Sequence, residues 1–159
     1  MATLSIPLFP LGTVLFPDGV LPLPVFEVRY LDMMRKCIDS GSPFGVVLLT
    51  HGSEVRTPDG NEQFEQSGTL ATVQETLEAS PGLLKVMCRG AARFHIVSSE
   101  RRPNGLWTAE VELLENDHAV PIPSELQGAA DALDRVLESL GDIPEDRWPL
   151  LPPFQLDDC

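Results

Sequence analysis

The chain has 159 residues, a length that suits one domain or one domain with a small appendage. Hydrophobic residues make up 43% and charged residues 22%, values typical of globular proteins, so the composition excludes wholesale disorder. The 24 acidic and 11 basic residues give a formal net charge of −13. A polyanionic partner would have to overcome that field, which disfavours nucleic-acid binding.

Targeting features and cysteines both favour a cytoplasmic protein. No apolar run reaches the ~18 residues that a membrane-spanning helix needs, and the first residues lack the positive charge of a secretory signal. Cys37, Cys88 and Cys159 are odd in number and far apart, which disfavours both a disulfide framework and a zinc site. We therefore expect a reducing, cytoplasmic setting without membrane association.

Prolines interrupt the first apolar segments. Proline cannot donate to a sheet ladder, so short, interrupted or edge strands are expected there. The pattern predicts three short strands, with Pro17-Asp18-Gly19 as a turn after the second; they are Ser5–Phe9, Val14–Phe16 and Val20–Phe26.

The apolar period then changes to that of a helix. Apolar residues recur on one face of Glu27–Ser40, and Gly41 is placed to end this helix. A second helix is predicted after Ser124, which has Gln127 three positions later in a capping-box pattern, and Gly141 stops it.

The middle of the chain predicts a β-sheet. Phe44–Thr50 is a continuous apolar run of strand length, and a polar loop is expected from His51 to Ser67. Four segments with a period of two follow, at 68–79, 84–89, 93–98 and 106–115. They indicate an antiparallel meander curled into a barrel, because an open sheet would leave reactive edges.

Catalytic motifs are missing from the sequence. It contains no G-x-x-x-x-G-K-[ST] phosphate loop and no G-x-S-x-G nucleophile turn, so we predict no catalytic, cofactor-binding or metal-binding residue. Two alternatives remain open. His51, at the start of the long loop, would serve a small hydrolase, and an arginine cluster would serve RNA binding; its members are Arg89, Arg93, Arg101 and Arg102.

The apolar N-terminal blocks carry a resemblance to a known family. In chain order they are PLFPL (7–11), VLFP (14–17), LPL (21–23) and FEVRY (26–30), followed by FGVV (44–47), GTLATV (68–73) and GAARF (90–94). This pattern resembles the N-terminal, substrate-binding domain family of the ATP-dependent protease Lon, and the chain looks like a stand-alone bacterial version of that domain.

The resemblance implies a mainly β fold with α (α+β): a PUA-like β-barrel of antiparallel strands with one short helix near the N-terminus, followed by a C-terminal helix. We expect the barrel at 1–118 and a helical segment at 119–159 that is truncated, the native chain continuing beyond Cys159. In Lon, ATP hydrolysis and peptide cleavage reside in separate downstream domains, so the resemblance implies a non-enzymatic polypeptide-binding module. Its partners would be unfolded substrates or the Lon system; the oligomeric state is left open.

Residue roles are assigned beside this resemblance. Phe9, Phe16, Phe26 and Phe44 are expected to fill the barrel core. Phe9, Phe16 and Phe26, together with Tyr30, are also the candidates for polypeptide binding. Glu27 is expected to form a structural ion pair with Arg29 or Arg93 that joins the helix to the barrel, the alternative being recognition of a ligand's charge.

Overall fold

The computed structural model describes residues 3–57 and 60–141, and the backbone of 156–157. The chain divides into two compact units, Met1–Glu115 and Asn116–Cys159. Unit 1 is mostly β-sheet with a single helix among its described residues; in chain order its elements are β1 (Thr3–Leu11), β2 (Val20–Val25), α1 (Val28–Ser40), β3 (Phe44–His51), β4 (Gln63–Ser80), β5 (Leu83–Arg101) and β6 (Trp107–Leu113).

The strands of unit 1 form one six-stranded sheet in the order β2-β5-β4-β3-β1-β6, and β6 pairs with β5 as well. Five of the pairings are antiparallel. The pairing of β1 with β3 is parallel, with Leu8 opposite Gly45, so the expectation of purely antiparallel strands is wrong at this point. The cause is the connection between them, because a crossover through β2 and α1 returns the chain to the same end of the sheet.

Two groups of apolar side chains make the core of unit 1. In the first, α1 lays Tyr30, Met34 and Cys37 against the sheet, where they pack with Phe9 and Phe44. The second centres on Phe94, which is fully buried; its other members include Leu8, Val47 and Val111. Because β1 contributes Leu8 to the second group and Phe9 to the first, both of its faces are buried.

Helix α1 begins after Glu27 and ends at Gly41, which has the left-handed φ of 66°. Glycine adopts this conformation without the steric cost that a Cβ imposes, which accounts for the end of the helix.

Three strand predictions differ from the structure. Val14–Phe16 lies in no strand, β4 begins at Gln63 instead of near residue 68, and β5 runs without a break from Leu83 to Arg101. The loop after β3 is therefore shorter than expected, spanning 52–62. Residues 63–67 are mostly exposed, so neither face of this part of β4 needs apolar side chains. The sequence therefore shows no alternation that would predict a strand here.

Unit 2 contains the remaining elements: β7 (Ala119–Val120), a 3-10 turn (Ser124–Leu126), α2 (Gln127–Ser139) and β8 (Leu156–Asp157), which pairs with β7. The predicted capping box is wrong. Ser124 lies in the 3-10 turn, and α2 begins after Leu126 without a side-chain cap; Gln127 Nε2 instead donates to Asp131 Oδ1 at 3.0 Å. The prediction about the chain near Cys159 lies outside the described residues.

Within the described residues, no helix combines the length and apolarity required to cross a bilayer.

Candidate functional site

A tight turn projects Phe16 away from the core. Gly19 N donates to Phe16 O at 3.0 Å, with Pro17 and Asp18 as the two central residues. Asp18 has a φ of 61°, and proline followed by a residue of positive φ is the arrangement of a type II turn. The turn leaves the Phe16 side chain 71% exposed. The expectation that Phe16 fills the core is therefore wrong.

Gly90 of β5 holds this turn in place. Asp18 N donates to Gly90 O at 3.0 Å, and Gly90 N donates to Gly19 O at 2.8 Å. A Cβ at residue 90 would collide with Phe16 O, so no larger residue fits at this distance. The glycine of the GAARF block thus positions Phe16 through a close backbone approach.

Beneath Phe16 lies an open groove of about 400 Å³. We call it the Phe16 groove; its main apolar lining comes from residues 13–17, from Val46 and Leu48 of β3, and from Leu114. Val14 is 53% exposed beside it, so two large apolar side chains of one short segment are left in solvent here. Exposed apolar side chains around a concave surface are typical of an interaction site.

Two charged side chains, Glu65 and Arg93, also line the Phe16 groove. Arg93 Nη2 donates to Glu115 O at 3.4 Å, while Arg93 O accepts from Leu114 N at 2.9 Å. Arg93 therefore fixes the segment after β6, which carries Leu114 to the groove. Its predicted role beside Glu27 stays a prediction, since no distance places the two side chains together.

A second cluster surrounds the buried side chain of Arg29, in the first turn of α1. Its Nη2 lies 3.5 Å from Glu27 Oε2 and 3.3 Å from Glu62 Oε1. Its Nη1 donates to Gly105 O at 2.7 Å, and its guanidinium lies 4.5 Å from the centre of the Tyr30 ring. We call these residues the Arg29 cluster. It joins the helix to the loop before β4 and to the turn before β6.

Glu62 is the charged member of the Arg29 cluster that the sequence did not predict. Its other oxygen, Oε2, accepts from Trp107 Nε1 at 2.8 Å, so one buried carboxylate serves an arginine and a tryptophan. In the sequence Glu62 is one of several acidic residues in a polar loop, and no spacing distinguishes it. Glu27 also accepts from Arg56 N at 3.2 Å, which ties the same loop to the start of α1.

The four residues predicted to bind polypeptide separate into two pairs. Phe9 and Tyr30 are 5% and 3% exposed, and their rings pack against each other with a tilt of 45° and centroids 4.0 Å apart. A direct contact with a partner is ruled out for these two by their burial, which also raises the pKa of the Tyr30 phenol. Phe16 and Phe26 are exposed, at opposite ends of β2, so Phe26 is likewise no core residue.

The arginines of the RNA-binding alternative contact their own chain. Arg89 Nη1 donates to Asp18 O at 3.3 Å, Arg101 Nη1 donates to Gly60 O at 2.8 Å, and Arg102 pairs with Glu100 at 3.2 Å. These contacts hold loops and strands of the same chain, and Arg101 and Arg102 line a hollow of about 380 Å³ together with Arg56.

The hydrolase alternative needs His51 beside a carboxylate or a thiol. His51 is exposed at the end of β3, and within residues 3–57 and 60–141 the structure brings no such group to it. Burial raises the pKa of the Cys37 thiol, and it raises the pKa of Cys88 to about 12. In the described part of the chain, no three His, Cys, Asp or Glu side chains are placed to hold a metal ion.

Known proteins similar to this chain agree with the motif pattern. Residues 5–151 match the family described as the ATP-dependent protease La (LON) substrate-binding domain. Lon protease 1 of Bdellovibrio bacteriovorus is 27% identical over 148 residues, which is 92% of this chain and 17% of that protein. Lon protease of Anaeromyxobacter dehalogenans is 26% identical over 144 residues, again covering 17% of its length. The chain thus spans under a fifth of these relatives.

Solved structures give the same match. The Lon N-terminal domain protein from Xanthomonas campestris superimposes with a TM-score of 0.68 at 36% identity, over 85% of this chain and 74% of that one. The N-terminal domain of Mycobacterium avium complex Lon protease has a TM-score of 0.53 at 15% identity, over 86% of this chain and 67% of that one, and supports the fold alone. With the family match covering nearly all of its length, the chain belongs to the Lon substrate-binding domain family.

Proposed function

We propose that this chain is a non-enzymatic polypeptide-binding module that holds an apolar segment of another protein in the Phe16 groove. The observation that carries the proposal is the exposure of Phe16 and Val14, at 71% and 53%, beside a mostly apolar groove of about 400 Å³. Membership of the substrate-binding family supports it.

The energetics of the groove suit weak, general binding. Complete burial of one apolar side chain contributes about 1.5–3 kcal/mol. A groove that takes one or two such side chains therefore gives modest affinity and little sequence preference, which is what a recognition module for unfolded segments requires. Arg93 and Glu65 add a polar rim that orients the bound chain.

We infer that the pairings of unit 1 close into the PUA-like barrel. The pairings run from β5 through β4, β3, β1 and β6 and return to β5. Such closure supports the Phe16 groove because β3, β4 and β5, which line it, are each paired on two sides near the groove.

The cellular role follows from the family. We propose that the partners are unfolded proteins or components of the Lon system, and that binding takes place in the cytoplasm. The chain matches 17% of the length of Lon proteases, so ATP hydrolysis and peptide cleavage are assigned to other parts of such a system and not to this module.

The proposal is tested by binding of a fluorescently labelled, reduced and carboxymethylated protein, which cannot refold. Replacing Phe16 by serine removes the main exposed anchor, and we expect the Kd to rise about tenfold or more. Val97→Ser is the matched control, because Val97 is 56% exposed on β5 and does not line the groove. Fluorescence anisotropy measures both. Equal Kd values for the two variants would contradict the groove assignment.

Phe26→Ser belongs in the same titration. Phe26 is 55% exposed but lies beyond the other end of β2, outside the groove. We expect its Kd to stay within about twofold of the unchanged protein, since surface substitutions away from a contact have small effects. If Phe26→Ser raises the Kd as much as Phe16→Ser does, the binding surface extends along β2 to Phe26, as the sequence predicts.

A further inference from the structure

Among the residues that the structure describes, strand β4 has one edge without a neighbour over half of its length. Strand β3 begins at Phe44, which pairs with Ala71, so the later part of β4 pairs only with β5. We call residues 72–80 the open edge of β4. From residue 74 to residue 80 every side chain is exposed, and the segment contains no proline. A long, unprotected edge is a ready template for an additional strand.

The prolines of β2 establish which backbone groups of β4 point outward. Among the described strands, β2 pairs with β5 alone, and in antiparallel pairs alternate residues point both N–H and C=O away from the partner. Proline has no N–H, so Pro22 and Pro24 fit at such outward positions. The residues opposite them on β5 are Met87 and Lys85, which must therefore direct their groups to β4.

The same alternation carries across to β4. Met87 is opposite Glu75 and Lys85 is opposite Leu77, so these two pairs share the hydrogen bonds between β5 and β4. Gly90 lies an odd number of residues from Met87 and Lys85, so its groups should point to the other side, towards β2. Its N–H does donate to the carbonyl of Gly19, just before β2, which agrees with this assignment. Thr76 and Glu78 are left with N–H and C=O directed away from β5, where no described strand pairs with them.

We propose that the open edge of β4 accepts an extended segment of another polypeptide as an additional antiparallel or parallel strand, bonded to the backbone of Thr76 and Glu78. This inference rests on the proposed polypeptide-binding function and adds a second mode of recognition. Backbone bonds give affinity without a sequence requirement, which suits a module for unfolded chains. The opposite edge of the sheet, at Pro22 and Pro24, lacks these donors.

Side-chain preference comes from the surface beside the edge. A hollow of about 190 Å³ lies between Cys37 and Ile38 of α1 and Val73 and Thr76 of β4, on the face that Thr76 shares with buried Val86. A residue of the added strand opposite Thr76 would place an apolar side chain over this hollow.

Charge selects the occupant of the edge. Glu75 and Glu78 lie on it, and Asp39 lies in the last turn of α1, which contains no basic residue against the negative end of its dipole. In a strand with alternating apolar and basic side chains, the apolar ones share the face of Thr76 and the basic ones share the face of Glu75, and the positive charges also lie in the field of Glu78 and Asp39. A second copy of the chain does not, because each copy carries a net charge of −13 and would bring the same glutamates together.

Amide exchange measured by NMR tests the inference directly. The probes are a ten-residue peptide of alternating valine and lysine and the carboxymethylated protein used above. We expect the N–H groups of Thr76 and Glu78 to exchange fast in the free protein and about tenfold or more slower with saturating probe, while Glu75 and Leu77 are protected in both states. A matched peptide of alternating valine and glutamate should bind at least fivefold more weakly.

A pair of substitutions separates the backbone from the side chain. Thr76→Pro removes the outward N–H as in β2, whereas Thr76→Val keeps it. We expect Thr76→Pro to raise the Kd of the valine–lysine peptide at least fivefold and Thr76→Val to change it less than twofold. Circular dichroism checks that both variants fold, and the exchange measurement on the unchanged chain stands if one does not.

The outcomes distinguish the two proposals. If neither probe binds at all, the proposed function and this inference both fail. If the carboxymethylated protein binds, and Phe16→Ser abolishes its binding, but exchange at Thr76 and Glu78 is unchanged with both probes, only the inference fails. Slow exchange at these amides without any probe, accompanied by doubled mass in analytical ultracentrifugation, would assign the edge to a second copy and overturn the proposed occupant.

Discussion

The guanidinium of Arg29 carries a full charge in a position that is 4% exposed. Removing a charge from water costs several kcal/mol unless partners replace the lost hydration. Glu62, Glu27, the carbonyl of Gly105 and the ring of Tyr30 supply that replacement. Each comes from a different position along the chain, so this cluster holds the helix and two connecting segments in one arrangement.

Removing Glu62 should therefore destabilise the fold strongly. We expect Glu62→Ala to lower the free energy of unfolding by about 2–4 kcal/mol, because Arg29 stays buried with Glu27 as its remaining carboxylate. Urea unfolding followed by circular dichroism measures the change. Glu65→Ala, in the exposed part of β4, serves as the control and should stay within about 0.5 kcal/mol. If the two variants lose similar amounts of unfolding free energy, the Arg29 cluster does not contribute more to stability than an exposed residue of β4.

The buried thiol of Cys88 predicts a loss of stability in alkali. Burial, assisted by Cys37, raises its pKa in the folded protein to about 12, from an ordinary value of 9.0. Below pH 9 the thiol is protonated in both states and has no effect. Above pH 9 the unfolded chain ionises while the folded chain cannot, so stability falls until the pH passes about 12.

Urea unfolding at pH 8 and pH 10 under reducing conditions measures this effect. One pH unit above the ordinary value, the loss from Cys88 should be on the order of 1 kcal/mol. Cys88→Ala lacks the thiol. Its free energy of unfolding should therefore fall less between pH 8 and pH 10, by the amount assigned to Cys88. If both proteins show the same pH dependence, ionisation of Cys88 makes no contribution.

The sequence does not distinguish exposed from buried apolar side chains. The apolar blocks around Phe9, Phe16 and Phe26 look alike, yet Phe9 is 5% exposed and the other two are 71% and 55% exposed. Apolar residues that face the core and apolar residues that face a partner give the same pattern in the sequence. The difference arises from the turn at Pro17-Asp18 and its bonds to Gly90, which involve residues far apart in the chain.

The two outer edges among the described strands of unit 1 differ in their proline content. The β2 edge carries Pro22 and Pro24, whereas the open edge of β4 carries none. Prolines at outward positions prevent pairing with another chain. We infer that the β2 edge is blocked against pairing with another chain and that the open edge of β4 can accept one.

Replacing both prolines should open the β2 edge. We expect Pro22→Val with Pro24→Val to fold and to associate, since two outward N–H groups and two β-branched residues then favour strand pairing. Size-exclusion chromatography with light scattering measures the mass as a function of concentration. The double variant Pro121→Val with Pro123→Val, outside the sheet, provides the comparison. A variant that keeps the mass of the unchanged protein up to high concentration would show that the prolines are not protective.

Elements with strong local patterns were predictable, and elements defined by their partners were not. The apolar stripe of 27–40 and the run at 44–50 match α1 and β3 because α1 buries one face of a short segment and β3 buries both faces. The lengths of β4 and β5 depend on mutual pairing of exposed residues, which leaves no apolar pattern. The parallel pairing of β1 and β3 depends on the path of the whole crossover.

At the scale of the molecule, all residues of the Phe16 groove and of the open edge lie within unit 1. We propose that this unit is an independent domain, close to the 1–118 boundary expected from the sequence. A chain ending after Glu115 should then melt cooperatively and bind the carboxymethylated protein with a Kd within about threefold of the full chain. Differential scanning calorimetry and anisotropy check the two statements, and a fragment without a cooperative transition would contradict the first.

The seven motif blocks between residues 7 and 94 were sufficient to identify the family and a mainly β fold, because glycines, prolines and paired apolar residues are local requirements of backbone geometry. Which of those apolar residues meet solvent, which acidic residue neutralises Arg29 and which strand edge lacks a neighbour are decided by tertiary packing. Each is a relation between segments tens of residues apart, and a buried or exposed side chain has the same identity in the sequence until its surroundings are assembled.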